Sequence, residues 1–294
     1  MLAFKVNPYI EKIALTSKAF KKEFYPSNRE EKDNSTDPLE EDKNMPVYGL
    51  VHKYPNRVLI LLTLNCAAYC RFCTRRRSVS AIQKCQLGEK DLRKMAHYIK
   101  KHAGINEIIL SGGDPLTVPN LLASALKIFG SLPQVKILRI GSRLPISNPA
   151  AINSSLLSIL RNSPKQPVYM LLNFEHPDEL TAETKLALKK LRANNCILLS
   201  QTVFLKGIND DVSTLEKLFT ALLTLGVKPY YIFHNDEPKG TEHFTVALKK
   251  EAQIMDQLRR RVGGLACPVY ALDSAKAPYK IPLAYGLAQP EIRH

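Results

Sequence analysis

The chain has 294 residues, 45% of them hydrophobic, enough for a sizeable core built as one large domain or one domain with appendages. Its formal charge of +15 is spread over Lys21-Lys22, Arg75 to Arg77, Lys189-Lys190, Lys249-Lys250 and Arg259 to Arg261. That spread reads as solvated helix faces and leaves room for an acidic partner, although no basic-aromatic nucleic-acid motif accompanies it. No apolar run approaches the roughly 18 residues of a membrane span, and the first residues lack a signal-peptide core, so a cytoplasmic protein without membrane insertion is expected.

Residues 1–50 read as a polar wrapping segment or linker. They open on a charged amphipathic stretch and continue into SNREEKDNSTDPLEEDKNMP, which has no apolar periodicity. A strand–helix rhythm follows. Short β-branched runs are Arg57–Leu64, Glu107–Leu110, Lys136–Ile140, Val168–Leu172, Ile197–Val203 and Lys228–Phe233. Each precedes a segment with apolar residues at i, i+3, i+4, such as LRKMAHYIKKHA or STLEKLFTALLTLG. Six such units imply an α/β fold with a parallel sheet, its strands apolar on both faces. Polar residues recur at the strand C-terminal ends: Cys66 after the first strand, Ser111–Asp114, Ser142-Arg143, Asn173 to His176, and His234 to Asp236. A barrel gathers such ends round one mouth, which favours a partial (β/α)6 barrel over an open doubly wound sheet. The expected division is a wrapping segment over 1–50, a partial barrel over 51–262 and a C-terminal segment over 263–294.

Six cysteines are present: Cys66, Cys70, Cys73, Cys85, Cys196 and Cys267. Three crowd into LNCAAYCRFCTRRR, a pattern that favours metal binding in a reducing compartment over disulfides. Cys196 and Cys267 sit in apolar settings and read as core fillers. Structural zinc would need a fourth ligand, and no second C-x-x-C exists. Thiolates also suit an iron–sulfur cluster, and three of them leave one iron of a four-iron cluster open.

The cysteine loop resembles the radical S-adenosylmethionine superfamily, whose signature is C-x3-C-x-aromatic-C, with Phe72 as the aromatic. The resemblance implies a [4Fe-4S] cluster on Cys66, Cys70 and Cys73. Its open iron would chelate S-adenosylmethionine, from which an external electron donor releases a 5′-deoxyadenosyl radical. Ser111-Gly112-Gly113-Asp114, one strand later, matches the superfamily's GGE-type segment, implied to bind the methionyl amino group. Taken alone, a Gly-Gly turn before a helix is common.

Further motifs occur in order: DPLEED, HKYPNRVLILLTLNCAAYCRFCTRRR, LSGGDPL, RIGSRLP, the HP of FEHP, QTVFLKGIND, KPYYIFHND and KGTEHF. Together they resemble the lysine 2,3-aminomutase family, from about Thr36 to Pro282. That family includes homologues that make β-lysine for modifying elongation factor P through a ligase. The resemblance implies pyridoxal phosphate as a further cofactor and L-lysine as substrate, and leaves an oligomer open. It implies that Lys280 carries the coenzyme, with Lys276 a near rival, and that Arg57 lies near its phosphate. Arg75 would hold the substrate carboxylate, Asp236 and Asp273 the distal ammonium, and Gln201 would lie near S-adenosylmethionine.

The sequence departs from the family at three places. The glycine-rich loop before the coenzyme lysine is replaced by Ala277-Pro278-Tyr279. Asn173 stands where the family has the first histidine of H-x-N-H-P. The C-terminal zinc cysteines of lysine-degrading members have no counterpart through His294. TRRR sides with the lysine-degrading branch, and HKY and SRLP with the elongation-factor-P branch. The altered loop and the charge also suit a radical enzyme without pyridoxal phosphate acting on a substrate such as RNA, and a third reading is a non-catalytic iron–sulfur protein descended from such an enzyme.

Overall fold

A computed structural model describes residues 2–30, 37–79, 87–236 and 238–284. Its strands are β1 (Leu50–Tyr54), β2 (Arg57–Thr63), β3 (Glu107–Gly112), β4 (Ile137–Ser142), β5 (Val168–Asn173), β6 (Cys196–Val203), β7 (Val227–Phe233), β8 (Val269–Leu272) and β9 (Ile281–Pro282). They form one sheet in the order of the chain. β2 to β8 run parallel, while β1 and β9 flank them antiparallel. A doubly wound sheet reverses its strand order at a switch point. No reversal occurs here, so successive crossovers advance in one direction and their helices fall on one face. The six expected strands are all present. β1, β8 and β9 are additions that the short runs HKY, VYAL and KIP do not announce by periodicity.

The helices are α1 (Pro8–Ala14), α2 (Lys18–Phe24), α3 (Glu89–Lys101), α4 (Pro119–Gly130), the short α5 (Leu144–Ser147), α6 (Ser154–Arg161), α7 (Ala182–Ala193), α8 (Val212–Thr224) and α9 (Leu248–Arg261). Side-chain caps start several of them. Asn153, Thr181 and Asp211 accept from the amides of Leu156, Thr184 and Asp211's third follower Thr214 at 3.0, 3.1 and 2.9 Å. The outer strand positions, among them Ile60, Leu110, Ile140, Met170 and Leu198, pack against helix residues such as Met95, Phe129, Leu160, Leu188 and Leu222. The inner positions are not uniformly apolar, contrary to the expectation of a sheet apolar on both faces. Ser111, Arg139, Gly141, Asn173, Gln201 and Tyr231 face a cavity of about 600 Å³. Residues of β2 and of β7 line that same cavity, so the sheet curves round it.

Within residues 1–50, read from the sequence as a wrapping segment or linker, two short helices pack onto the core. Asn7 and Ser17 cap α1 and α2, accepting from the amides of Ile10 and Phe20 at 3.0 and 3.1 Å. Ile10, Phe20 and Phe24 are fully buried in the main core. The stretch is short and dense in lysine, which hides two apolar faces of less than two turns each. Among the described residues no helix is long and apolar enough to cross a membrane.

Candidate active site

The loop that leaves β2 brings Cys66, Cys70 and Cys73 to the cavity wall, with Phe72 between them. Phe72 is buried, edge-on to Phe244 with ring centroids 6.3 Å apart. Burial pushes all three thiols above their ordinary range, Cys70 to about 11. Left to themselves these sulfurs would stay protonated, and a bound metal is what would deprotonate them. Among the described residues, no group of three His, Cys, Asp or Glu side chains converges on a single-ion site. Three cysteines on three irons of one cluster do not require that convergence. A single zinc ion does.

The glycines of Ser111–Asp114 have a structural reason that differs from ligand approach. Gly112 has φ +117°, and a Cβ there would collide with the Thr63 carbonyl; one on Gly113 would collide with that of Asn65. The end of β3 lies against the backbone that enters the cysteine loop, and the Asp114 amide donates to the Asn65 carbonyl at 2.7 Å. The Asp114 carboxylate is buried and engaged by the protein. It accepts from Ser142 Oγ at 2.9 Å, the Arg143 amide at 2.8 Å and the Leu116 amide at 3.1 Å. Asp114 therefore ties β3 to β4 and leaves little acceptor capacity for a ligand.

The arginines of the cysteine loop are paired with the N-terminal segment. Arg71, fully buried, and Arg76 both meet Glu30. Arg76 also donates to the Gly240 carbonyl at 2.8 Å. Arg77 pairs with Asp37 at 3.2 Å and Asp42 at 2.9 Å. Arg75 donates through Nε and Nη2 to Glu41 at 2.9 and 2.7 Å, and through Nη1 to Ser111 Oγ at 3.2 Å and the Gly112 carbonyl at 3.3 Å. Guanidinium has five N–H donors. Its bidentate edge is taken by Glu41, so a substrate carboxylate would meet the remaining Nη2 hydrogen and not the whole fork.

Across the cavity lie Asp236, Asp273 and Lys280. Asp236 follows β7. Among the described residues its Oδ1 is buried without a hydrogen-bond partner, and burial, then the nearby Asp273 charge, push its carboxyl up to about 7. Asp273 is held by protein cations instead. It pairs with Lys280 and, at 3.5 Å, with Lys53. Lys53 also donates to the Ser274 carbonyl at 2.6 Å. Lys53 on β1 thus latches one edge of the curved sheet to the segment after β8. Lys280 Nζ lies 4.6 Å from the ring centroid of Phe233. Lys276 is exposed and does not line the cavity. Tyr279 is 59% exposed at the rim, so the bulkier loop leaves the cavity open. Arg57 lines the cavity with its guanidinium 4.0 Å above the ring of Tyr54. Gln201 lines it too, in register with Asn173 on one side and Tyr231 on the other.

Residues 60–218 match the family model of the Radical SAM superfamily, more than half of the chain. The chain belongs to that superfamily. This radical SAM chain is also similar to L-lysine 2,3-aminomutases of Methanococcus maripaludis and Fusobacterium nucleatum. Each is 38% identical over 84% of this chain, covering 57% and 58% of the relative. Glutamate 2,3-aminomutase of Clostridioides difficile is 34% identical over 86% of this chain and 60% of its own length. The chain therefore spans less than two thirds of the length of these relatives. Among solved structures, a radical SAM methyltransferase from Sphaerobacter thermophilus shares the fold, with a TM-score of 0.54 and 15% identity over 76% of this chain and 68% of that one.

The residues present fit the cluster that the superfamily implies. Three half-buried cysteines share one cavity, and the Arg143 guanidinium donates to Cys70 Sγ at 2.9 Å, a cationic donor suited to a thiolate. They also offer a place for an amine-linked coenzyme, since Lys280 and Arg57 line the same cavity. Sequence reasoning missed Lys53 and Glu41 as individual residues, although HKY and DPLEED contain them, and it placed Arg143 at a strand end without giving it a role. Glu23 and Glu179, which hold Arg143, carry no local signal.

Proposed function

We propose that this radical SAM chain is an aminomutase that moves the amino group of L-lysine from C2 to C3, giving β-lysine. The observation that carries the reading is Asp236. A buried carboxylate oxygen without a partner among the described residues, in a cavity that also holds the three cysteines, calls for a cation, and the distal ammonium of lysine supplies one. An acidic side chain in that place would meet like charge, so a glutamate substrate is disfavoured. A cavity of about 600 Å³ has the size of a small-molecule site, which disfavours RNA.

Cys66, Cys70 and Cys73 would hold the cluster, with Phe72 and Gln201 flanking S-adenosylmethionine. Lys280 would carry pyridoxal phosphate, with Arg57 facing its phosphate. Bound together, these groups supply a carbon-centred radical and a carrier for the migrating nitrogen. The chain's own residues do the rest. Arg75, fixed by Glu41, Ser111 and Gly112, presents one N–H to the substrate carboxylate. Asp236 takes the ammonium, and Asp273 keeps Lys53 as partner when Lys280 engages the coenzyme. The curved sheet shields the reacting centre from water. The branch indicated by HKY and SRLP would deliver β-lysine to a ligase acting on elongation factor P, whereas that indicated by TRRR would direct it to lysine breakdown. Isotope-labelled lysine followed into elongation factor P separates these fates.

The test is anaerobic incubation of the iron-loaded protein with a strong reductant, S-adenosylmethionine, pyridoxal phosphate and L-lysine. β-Lysine is the expected product. Formation of 5′-deoxyadenosine with an unchanged lysine pool would sink the assignment of substrate.

A further inference from the structure

Arg143 follows β4, lines the cavity and is almost entirely enclosed. Its guanidinium lies between two aromatic rings, 4.7 Å from the centroid of Phe24 on α2 and 5.2 Å from that of Phe72 in the cysteine loop. Nη2 meets the fully buried carboxylates of Glu23 and Glu179, the latter at 3.0 Å. Nη1 donates to Cys70 Sγ at 2.9 Å. The backbone amide of the same residue is held by Asp114 at 2.8 Å. Four separate stretches of chain thus converge to fix one planar cation against one of the three cysteine sulfurs. Cys66 and Cys73 have no side-chain donor of this kind among the described residues.

We propose that Arg143 is a positioning residue of the cysteine site, locked by Glu23, Glu179 and Asp114 so that its charged hydrogen bond to Cys70 sets how readily a cluster held there accepts an electron. The inference rests on the reading that the three cysteines hold a four-iron cluster. One-electron reduction, by the external donor that radical SAM chemistry requires, adds negative charge that is shared with the thiolate sulfurs. A guanidinium N–H on one of those sulfurs stabilises the reduced form more than the oxidised form, which raises the reduction potential. The two carboxylates fix the geometry of the fork, and the aromatic faces exclude water, which would weaken the bond.

The test is a potentiometric titration of the iron- and sulfide-loaded protein, followed by electron paramagnetic resonance. Arg143→Gln combined with Glu179→Gln removes one charge of each sign, so it isolates the loss of the hydrogen bond. Arg143→Lys keeps the charge and the partners of the buried carboxylates but loses the planar fork, and serves as the variant safer for folding. Both should load iron to the wild-type level and keep the wild-type circular dichroism. In the double variant the equilibrium constant for reduction should fall at least tenfold, a potential lower by about 59 mV for one electron. The lysine variant should shift in the same direction by less. Full iron content with an unchanged potential in both variants overturns the proposal. A wild-type protein that loads no iron overturns the cluster reading itself.

Discussion

On the cysteine side of the cavity, Arg71, Arg75, Arg76 and Arg77 each find a carboxylate within residues 30–42, whereas on the lysine side Asp236 keeps a buried oxygen without a partner among the described residues. The first region is completed by the chain's own N-terminal segment. The second is held together by Lys53 and Lys280 around Asp273. A site for a resident group gains from rigid, self-satisfied charge pairs that keep three sulfurs in place. A site for a transient ligand gains from a desolvated charge that the ligand itself neutralises.

The largest expected effect breaks the cysteine side alone. Cys70→Ala should abolish iron loading at this site and all 5′-deoxyadenosine formation, read by iron content and by chromatography of the nucleoside. Lys280→Ala should break the other side. β-Lysine formation and the visible absorbance of bound coenzyme should vanish, while iron content stays at the wild-type level. If iron is lost as well, the two sides are not separable in the way the contacts imply.

Glu30→Ala strips Arg71 and Arg76 of their shared carboxylate and should destabilise the fold by about 3–5 kcal/mol, the range for removing one partner of a buried pair. Chemical denaturation measures it. The Glu30 carboxyl lies below its ordinary range despite a large opposing contribution from burial, because Arg71, Ser27 and Arg76 stabilise its charged form. Its contribution is therefore present above the unfolded carboxylate range and is lost as pH falls through the lowered value.

Asp236→Asn should raise the KM for lysine by about 10²-fold with a smaller change in kcat, consistent with the ~2–5 kcal/mol for truncating a buried charged partner. The smallest effect is the pH dependence of the same contact. Asp236 titrates at about 7, and the ammonium requires its ionised form. KM should fall as pH rises from 6 to 8, about tenfold at most, and the slope should flatten in Asp236→Asn. A raised folded-state carboxyl also opposes folding once it ionises, so this group's contribution to stability declines as pH rises from the unfolded carboxylate range to about 7.

Much of the layout was legible from the chain alone, because its signals are local. The alternation of β-branched runs with i, i+3, i+4 patterns announces the six central strands and their helices. The C-x3-C-x2-C spacing places three thiols on one loop, since eight residues cannot spread them far. Lys280, Asp236 and Asp273 follow from the family resemblance and do line the cavity. What the chain alone did not reveal is where each charge goes. Whether Arg75 offers its fork to a substrate or to Glu41, whether Asp273 or Asp236 is the free carboxylate, and why Gly112 and Gly113 must be glycines all depend on contacts between residues far apart in the chain. Periodicity and spacing report neighbours along the chain. The pairing of Arg143 with Glu23, 120 positions away, is set only when α2, β4 and the cysteine loop pack together, because burial then obliges each charged group to find a partner within reach.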